Sequence, residues 1–357
     1  MAKQTLKTEV KNLTVRTNLL FKRNGIKASI LLCSLLLGAA AYAANPAYHV
    51  INRFQLGGEG GWDYLTVDSE ARQLYISRST HVMVVDIETG KLVGDIPDTA
   101  GVHGIALAPE LNRGFTSNGK ADTAAIFDLK TLKVIGQVKT GANPDAILYD
   151  PFSKLVFTFN GRSQDATIFN AASGEVVKTI ALGGKPEFAA TDGKGKVYVN
   201  IENTSEVAEI DSQKLSVTNR FSLKPGEEPT GMAIDREHHR VFSGCHNKLM
   251  TVLDVESGKM IAMVPIGERV DGNGFDPELE LAFSANGDGT LTVVREASSG
   301  KFEVAETVTT QVGARTMAID PKTHNIYLPT AEFAPTTDPK TRPTTVEDSF
   351  VVLVIGR

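Results

Sequence analysis

The sequence has few of the residues that would cross-link it or anchor it in a membrane. It contains two cysteines in 357 residues, and only Cys245 lies outside the N-terminal segment described below. Without that segment the chain has a single cysteine and cannot form an internal disulfide, so its stability must come from its hydrophobic core. No apolar run approaches the roughly 20 residues that a membrane-spanning helix needs. We therefore expect no transmembrane span in the mature protein.

Charge and cofactor motifs are also sparse. The formal net charge is -5, so no overall basic field favours nucleic acid, which we do not expect as a partner. No Cys-x-x-Cys-His motif and no ring of histidines is present, and neither attached haem nor a copper cluster is indicated. Nucleophile-elbow, metalloprotease and phosphate-loop motifs are missing as well. These observations favour a protein that binds rather than one that catalyses.

The first 43 residues differ from the rest of the chain. Basic residues precede the apolar run 28–40, and Ala41 and Ala43 give the A-x-A spacing of a cleavage site. This pattern predicts a signal peptide at 1–43, cleavage near Ala43 and a periplasmic mature protein, 44–357. The alternative is a membrane anchor, for which the apolar run is short.

The mature chain is a series of seven related units. Each contains four short apolar segments separated by polar turns, and no segment keeps a helical period. Successive units begin 40 to 44 residues apart, at Trp62, Val102, Pro144, Pro186, Pro229, Val270 and Ala314. Four strands per repeat of this length predict an all-β, seven-bladed β-propeller. The last unit lacks a fourth strand, and we expect segment 49–56 to supply it and close the ring.

Aspartates recur at two positions of the repeat, after the first and after the third strand. Because a side chain needed in nearly every unit serves the architecture, we assign them to turns, where an Asx side chain accepts backbone amide hydrogens. They are Asp68, Asp150, Asp192, Asp235, Asp276 and Asp320 after the first strand, and Asp86, Asp128, Asp211 and Asp254 after the third.

The ends of several second strands share a further pattern. Segments 115–118, 157–160 and 283–286 read Phe-Thr-Ser-Asn, Phe-Thr-Phe-Asn and Phe-Ser-Ala-Asn. They resemble the Tyr-Val-Thr-Asn signature of YVTN-repeat propellers, and the layout of 46–357 is similar to the YncE-like periplasmic proteins. The resemblance implies the propeller fold. It implies no particular activity, although such proteins carry a single-stranded DNA-binding label, for which this chain lacks a basic groove with aromatics.

Residues that vary around the ring are better candidates for function, because the fold does not require them to differ. The second residue of each unit is expected at the mouth of the central channel. These residues are Asp63, His103, Asp145, Glu187, Thr230, Asp271 and Arg315. Such a set of carboxylates with one histidine is a candidate site for a divalent cation or small ligand, and a solvated channel rim is the alternative.

Loops after the second strands add candidates on the same face. Asn118 and Asn160 are candidate ligand contacts, although asparagine is also a common turn residue. His246 stands next to Cys245 without a counterpart in other units, which is weak support for a metal or a nucleophile. The Pro- and Thr-rich loop 331–348 is long, and we expect it over the channel face, either as a lid or docking segment or as an insertion that the fold merely tolerates.

The sequence thus favours an exported, monomeric binding or scaffolding propeller whose partner is a small ligand or an envelope protein. No cofactor is evident beyond a candidate divalent cation. A metal-assisted hydrolase or lyase, by analogy with lactonase-like and streptogramin-lyase-like propellers, is the alternative. Catalytic residues are not assigned.

Overall fold

The computed structural model of the protein describes residues 47–335 and 344–357, which contain 28 strands and two short 3-10 helices. The predicted signal peptide and its cleavage site lie outside the described residues, as does part of the 331–348 loop. Within the described part of the chain, no helix is long and apolar enough to cross a membrane.

The described strands form seven sheets of four antiparallel strands each. Blade 1 contains β2 (Leu65–Asp68), β3 (Gln73–Arg78), β4 (His81–Asp86) and β5 (Leu92–Ile96). Blade 2 contains β6 (Val102–Ala108), β7 (Arg113–Asn118), β8 (Thr123–Asp128) and β9 (Val134–Lys139). Blade 3 contains β10 (Pro144–Asp150), β11 (Leu155–Asn160), β12 (Asp165–Asn170) and β13 (Val176–Ala181). Blade 4 contains β14 (Pro186–Thr191), β15 (Lys196–Ile201), β16 (Glu206–Asp211) and β17 (Ser216–Ser222).

The remaining three blades complete the ring. Blade 5 contains β18 (Pro229–Asp235), β19 (Arg240–Cys245), β20 (Leu249–Asp254) and β21 (Lys259–Pro265). Blade 6 contains β22 (Val270–Asp276), β23 (Leu281–Asn286), β24 (Thr290–Ser298) and β25 (Lys301–Thr309). Blade 7 contains β26 (Ala318–Ile319), β27 (Ile326–Thr330), β28 (Val351–Gly356) and β1 (His49–Gln55). The 3-10 helices are Pro109–Leu111 and Glu202–Thr204.

The predicted closure of the ring is confirmed. Strand β1 pairs antiparallel with β28, from His49 opposite Gly356 to Gln55 opposite Val351. The first and last strands of the described chain thus share one blade, which leaves no unpaired edge between the ends. The all-β, seven-bladed propeller with four strands per blade is also as predicted.

The hydrophobic core is divided into clusters that lie between neighbouring blades. Phe157 of blade 3 and Val199 of blade 4 belong to one cluster, and Phe54 of blade 7 packs with Ile76 of blade 1 in another. Alternation along the strands buries apolar side chains on both faces of each sheet, and each blade therefore stabilises both neighbours.

The recurring aspartates have the turn role predicted for them. Asp68 accepts the amide hydrogens of Glu70 and Ala71 at 3.1 and 2.9 Å. After a third strand, Asp211 accepts those of Gln213 and Lys214 at 3.1 and 2.9 Å. These turns define what we call the lower face of the ring, and the channel mouth lies on the opposite, upper face.

Two blades differ from the predicted repeat at their innermost strand. The predicted unit starts coincide with strand starts in blades 2 to 6, but β2 begins at Leu65 and β26 at Ala318. Side-chain hydroxyls form hydrogen bonds there: the Asp63 amide donates to Ser77 Oγ at 3.1 Å, and Thr316 Oγ1 donates to the Asp63 carbonyl at 2.6 Å. Blades 7 and 1 are thereby joined at the channel.

Candidate functional site

Each innermost strand begins at the upper face, so its first side chains converge on the channel mouth. The structure brings the charged members of the predicted ring together there, with Glu202, which follows a second strand on the same face, and with Lys185, which was not predicted. We call this set the carboxylate cup; its members are Asp63, Asp145, Glu187, Glu202 and Asp271 with the cationic groups His103, Lys185 and Arg315.

Three neighbouring blades supply the centre of the carboxylate cup. His103 Nδ1 lies 2.6 Å from Asp63 Oδ2 and 3.8 Å from Asp145 Oδ1. One nitrogen or oxygen atom from each of the three side chains lies within 4.8 Å of the others. This spacing is compatible with the coordination of a single ion, at distances of about 2.0 to 2.6 Å from each ligand atom.

The charge of His103 depends on these two carboxylates. Burial would lower the pKa of His103, but the hydrogen bond to Asp63 and the nearby charge of Asp145 raise it to about 9. The pKa of Asp145 rises to about 6, because it is buried and lies near Asp63, and the positive charge of His103 only partly opposes this. Proton binding by His103 is thus favoured by the two carboxylates beside it.

A lysine that we did not predict bridges two carboxylates in blade 4. Lys185 Nζ lies 2.7 Å from Glu187 Oε1 and also contacts Glu202, which belongs to the 3-10 helix after β15. Burial and the charge of Asp145 raise the pKa of Glu187 to about 8, against the opposing effect of Lys185. The sequence contained a signal for Lys185. This lysine directly precedes the start of its unit, and the equivalent residues of two other units are the uncharged Gly101 and Asn143.

The remaining ring positions lie on the other side of the mouth. Arg315 Nε is 2.9 Å from Asp271 Oδ2. Burial nevertheless raises the pKa of Asp271 to about 7, with Arg315 acting in the opposite direction and Asp63 adding to the rise. Thr230 uses its hydroxyl to donate to the Val270 carbonyl at 2.9 Å, so it joins blades 5 and 6 and contributes no charge.

Two aromatic rings close the channel beneath the carboxylate cup. Tyr64 of blade 1 meets Phe188 of blade 4 edge to face, with ring centroids 5.2 Å apart. Because two blades separate them along the ring, the contact spans the channel. Burial raises the pKa of Tyr64 well above its usual value, and Asp145 and Asp63 raise it further.

The two candidate asparagines lie inside their blades rather than at the mouth. Asn118 is fully buried and bonds Thr116 and Thr123, while Asn160 is fully buried and donates to Asp165 and Thr167. The contacts with Thr123, Asp165 and Thr167 join the second strand to the third within one blade. The structure therefore gives both side chains an architectural role that sequence reasoning left open against ligand contact.

The two candidate residues at the end of β19, Cys245 and His246, differ in burial. Cys245 is fully buried, and burial raises the pKa of its thiol to about 12, which makes it a poor nucleophile. His246 is exposed, and its Nδ1 lies 3.3 Å from Glu228 Oε2. Neither contacts the carboxylate cup among the described residues.

The 331–348 loop is described only at its two ends. Phe333 forms an isolated antiparallel bridge with Thr345, and the Ala334 amide donates to the Thr344 carbonyl at 2.8 Å. The ring of Phe333 also lies 6.2 Å from that of Trp62, which directly precedes Asp63. The described ends are thus on the upper face, and residues 336–343 lie outside the described part.

Comparison with known proteins supports the architecture alone. No protein-family model matches the sequence, and no curated protein matches it. Among solved structures, a chain of hydrazine synthase from Kuenenia stuttgartiensis aligns with a TM-score of 0.66, over 76% of this chain and 94% of that chain, at 15% sequence identity. Likeness at this identity concerns the fold, and the class that fold and site define is a β-propeller scaffold suited to binding.

Proposed function

We propose that this propeller is an exported binding protein that holds a divalent cation in the carboxylate cup and uses it to bind a small ligand. The observation that carries the proposal is the convergence of Asp63, His103 and Asp145, whose donor atoms lie within 4.8 Å of one another. Three blades contribute one ligand each, so the assembled ring itself creates the site.

The charge balance of the carboxylate cup supports a bound cation. Five carboxylates face three cationic groups, one of which is a histidine whose charge depends on its carboxylate neighbours. Buried like charges repel strongly where water cannot screen them. A divalent ion would offset the excess and let the carboxylates remain ionised.

The floor of the carboxylate cup is subject to the negative charges of several blades. Burial raises the pKa of Tyr64 well above its usual value, and the charges of Asp145, Asp63, Glu187 and Asp271, which come from four different blades, raise it further. A cation bound above Tyr64 would offset these charges.

The donor set indicates which ions fit. Two carboxylates favour hard cations, and one imidazole favours borderline metals. We therefore expect Mn²⁺ or Zn²⁺ to bind more tightly than Ca²⁺ or Mg²⁺. In the bound state His103 would have to lose its proton, so the ion would compete with that proton.

Export and membership of the YVTN-repeat, YncE-like group complete the proposal. Export is supported by the basic and apolar segments of 1–43 and by the A-x-A spacing before residue 44. Group membership is supported by the strand endings 115–118, 157–160 and 283–286. Acidic groups at the mouth argue against single-stranded DNA as the ligand, because they repel phosphates.

A metal-assisted hydrolase or lyase is the second candidate function. It is favoured by a cavity that borders the carboxylate cup, since Arg315 belongs to both. A cation there would act as a Lewis acid on a substrate held in the cavity. This candidate requires turnover that disappears with a chelator, whereas the binding protein requires ligand retention without turnover.

The experiment is a thermal shift on the mature protein after treatment with a chelator. Adding Mn²⁺ or Zn²⁺ should raise Tm by roughly 5 °C, the gain expected for a ligand present far above its Kd. Asp63→Asn and Asp145→Asn should each abolish the gain. Glu228→Gln, which alters an exposed carboxylate of the same face outside the carboxylate cup, should retain it. No shift in the parent protein with Mn²⁺, Zn²⁺, Ca²⁺ or Mg²⁺ would overturn the proposal.

A further inference from the structure

A cavity opens on the upper face beside the carboxylate cup, between blades 6, 7 and 1. Its volume is about 620 Å³, which is within the range of sites for small organic molecules. Two aromatic residues and two arginines line it: Trp62, Phe333, Arg269 and Arg315. Apolar and cationic groups thus meet in one concave space.

The aromatic side of the cavity is held in place by packing. Trp62 lies against Phe350, with ring centroids 5.4 Å apart, and faces Phe333 across 6.2 Å. Gly313 makes room for this arrangement. A Cβ on Gly313 would come within 2.6 Å of the Phe333 ring, and its φ of +89° disfavours other residues.

A buried arginine fixes the segment that carries Trp62. Arg78 donates hydrogen bonds to four successive carbonyls, those of residues 57 to 60, at 2.9 to 3.2 Å. Its guanidinium also lies 3.8 Å above the Phe350 ring. Because burial lowers the pKa of Arg78 only to about 10, it stays charged at neutral pH. The indole is therefore placed before any ligand arrives.

The two arginines on the cationic side of the cavity have more N–H donors than their present contacts use. Arg269 Nη2 donates to the Gly287 carbonyl at 2.6 Å, and within the described chain no carboxylate pairs with it. The contact that Arg315 makes with Asp271 is between Nε and Oδ2, at 2.9 Å. A guanidinium offers five N–H donors, and its terminal nitrogens bind carboxylate or phosphate oxygens in pairs. Both arginines can therefore bind an anion while keeping their present contacts.

We propose that this cavity binds a small organic anion with a flat, apolar body, whose anionic group lies between Arg269 and Arg315 and whose body stacks on Trp62 and Phe333. Neutral flat molecules would lose the charge-assisted hydrogen bonds, and small inorganic anions would lose the aromatic contact. The proposal deepens the binding function proposed above and rests on it for the role of this face. Its residues are not the proposed cation ligands, so the two can fail separately.

The test uses Trp62, the single tryptophan of the chain, as its reporter. The mature protein is titrated with 4-nitrobenzoate and with its neutral counterpart 4-nitrobenzamide, and quenching of the tryptophan emission is followed. Each titration is done with a chelator and again with Mn²⁺. We expect saturable quenching by the carboxylate and at least tenfold weaker binding of the amide.

A matched pair of variants assigns the charge contact. Arg269→Ala should weaken 4-nitrobenzoate binding at least tenfold, while Arg162→Ala, an exposed arginine in a loop of the same face, should leave it unchanged. Circular dichroism and Tm of each variant confirm folding. Equal affinity for carboxylate and amide, purely linear quenching, or equal behaviour of the two variants would overturn the proposal. Saturable, Arg269-dependent binding in the presence of the chelator would support it even if no cation binds.

Discussion

Carboxylates on the two faces of the ring differ in how their charge is stabilised. On the lower face, hydrogen bonds from the turn backbone lower the pKa of Asp86 and Asp254. At the mouth on the upper face, burial and neighbouring carboxylates raise the pKa of Glu187 to about 8 and of Asp271 to about 7. Carboxylates on the lower face thus have hydrogen-bond donors that stabilise their charge, whereas carboxylates at the mouth outnumber the cationic groups beside them.

The difference separates architecture from function. A turn aspartate is needed by its own blade, so it recurs and its hydrogen bonds are complete. The carboxylate cup differs from blade to blade, and raised carboxylate pKa values are common at functional sites, which makes the cup rather than the turn aspartates the candidate binding site. Three predictions, from the largest expected effect to the smallest, test this contrast.

The largest effect is expected for Asp320, a turn aspartate at the contact between blades 7 and 1. Its buried carboxylate accepts hydrogen bonds from Ser69, Arg72 and Thr323, with Arg72 Nη1 at 2.7 Å. Asp320→Asn should lower the free energy of unfolding by about 2 to 4 kcal/mol, because it leaves Arg72 without its buried partner. Urea unfolding at pH 7 measures this, and a loss equal to that of Asp254→Asn would contradict it.

An intermediate effect is expected from the pH dependence of the empty protein. Raised pKa values mean that the folded state binds more protons than the unfolded state between about pH 5 and 8, so stability should fall as pH rises through this range. Glu187→Gln removes one titrating group but leaves Lys185 paired with Glu202. In the chelator-treated protein, the free energy of unfolding of this variant should exceed that of the parent by about 1 to 2 kcal/mol more at pH 8.5 than at pH 5. A variant whose urea midpoint follows that of the parent at every pH would refute this.

The smallest effect is expected for the partly buried turn residue Asp254. It accepts the Ser257 amide hydrogen at 2.7 Å, a bond that an asparagine oxygen can also accept. Blade 3 already uses Asn170 at this position, with the amides of Ala172 and Ser173 as donors. Asp254→Ala should therefore cost about 1 kcal/mol and Asp254→Asn markedly less. If both lose the same stability in urea, the charge rather than the turn geometry matters.

The architecture could be predicted from the sequence because it is repeated. Seven copies of one pattern define the strand positions better than a single copy would. The predicted unit starts Val102, Pro144 and Val270 coincide with strand starts. Ring closure followed from counting strands, since one unit lacked its fourth. Of the seven described blades, only 7 and 1 deviated, because their innermost strands begin later, at Ala318 and Leu65.

The site could be predicted only in part, because its residues come from different blades and meet only in the folded ring. Aligning the units identified Asp63, His103 and Asp145, which are equivalent by repeat. Lys185 reaches the cup from just before its strand, and Tyr64 closes the channel against a blade far along the chain. The repeat gives the position of each residue within its own unit, but it does not give the contacts between residues of different blades. Conversely, asparagines that looked like surface turn residues are buried, since burial depends on the neighbouring third strand.

The most direct test of the account is the metal content of the protein after dialysis against an equal mixture of Mg²⁺, Ca²⁺, Mn²⁺ and Zn²⁺ and removal of free ions. We expect one Mn²⁺ or Zn²⁺ ion per chain in the mature protein and none in the Asp63→Asn/Asp145→Asn double variant. A parent protein without bound metal, or a double variant that retains as much as the parent, would contradict the proposal that the carboxylate cup is a cation site.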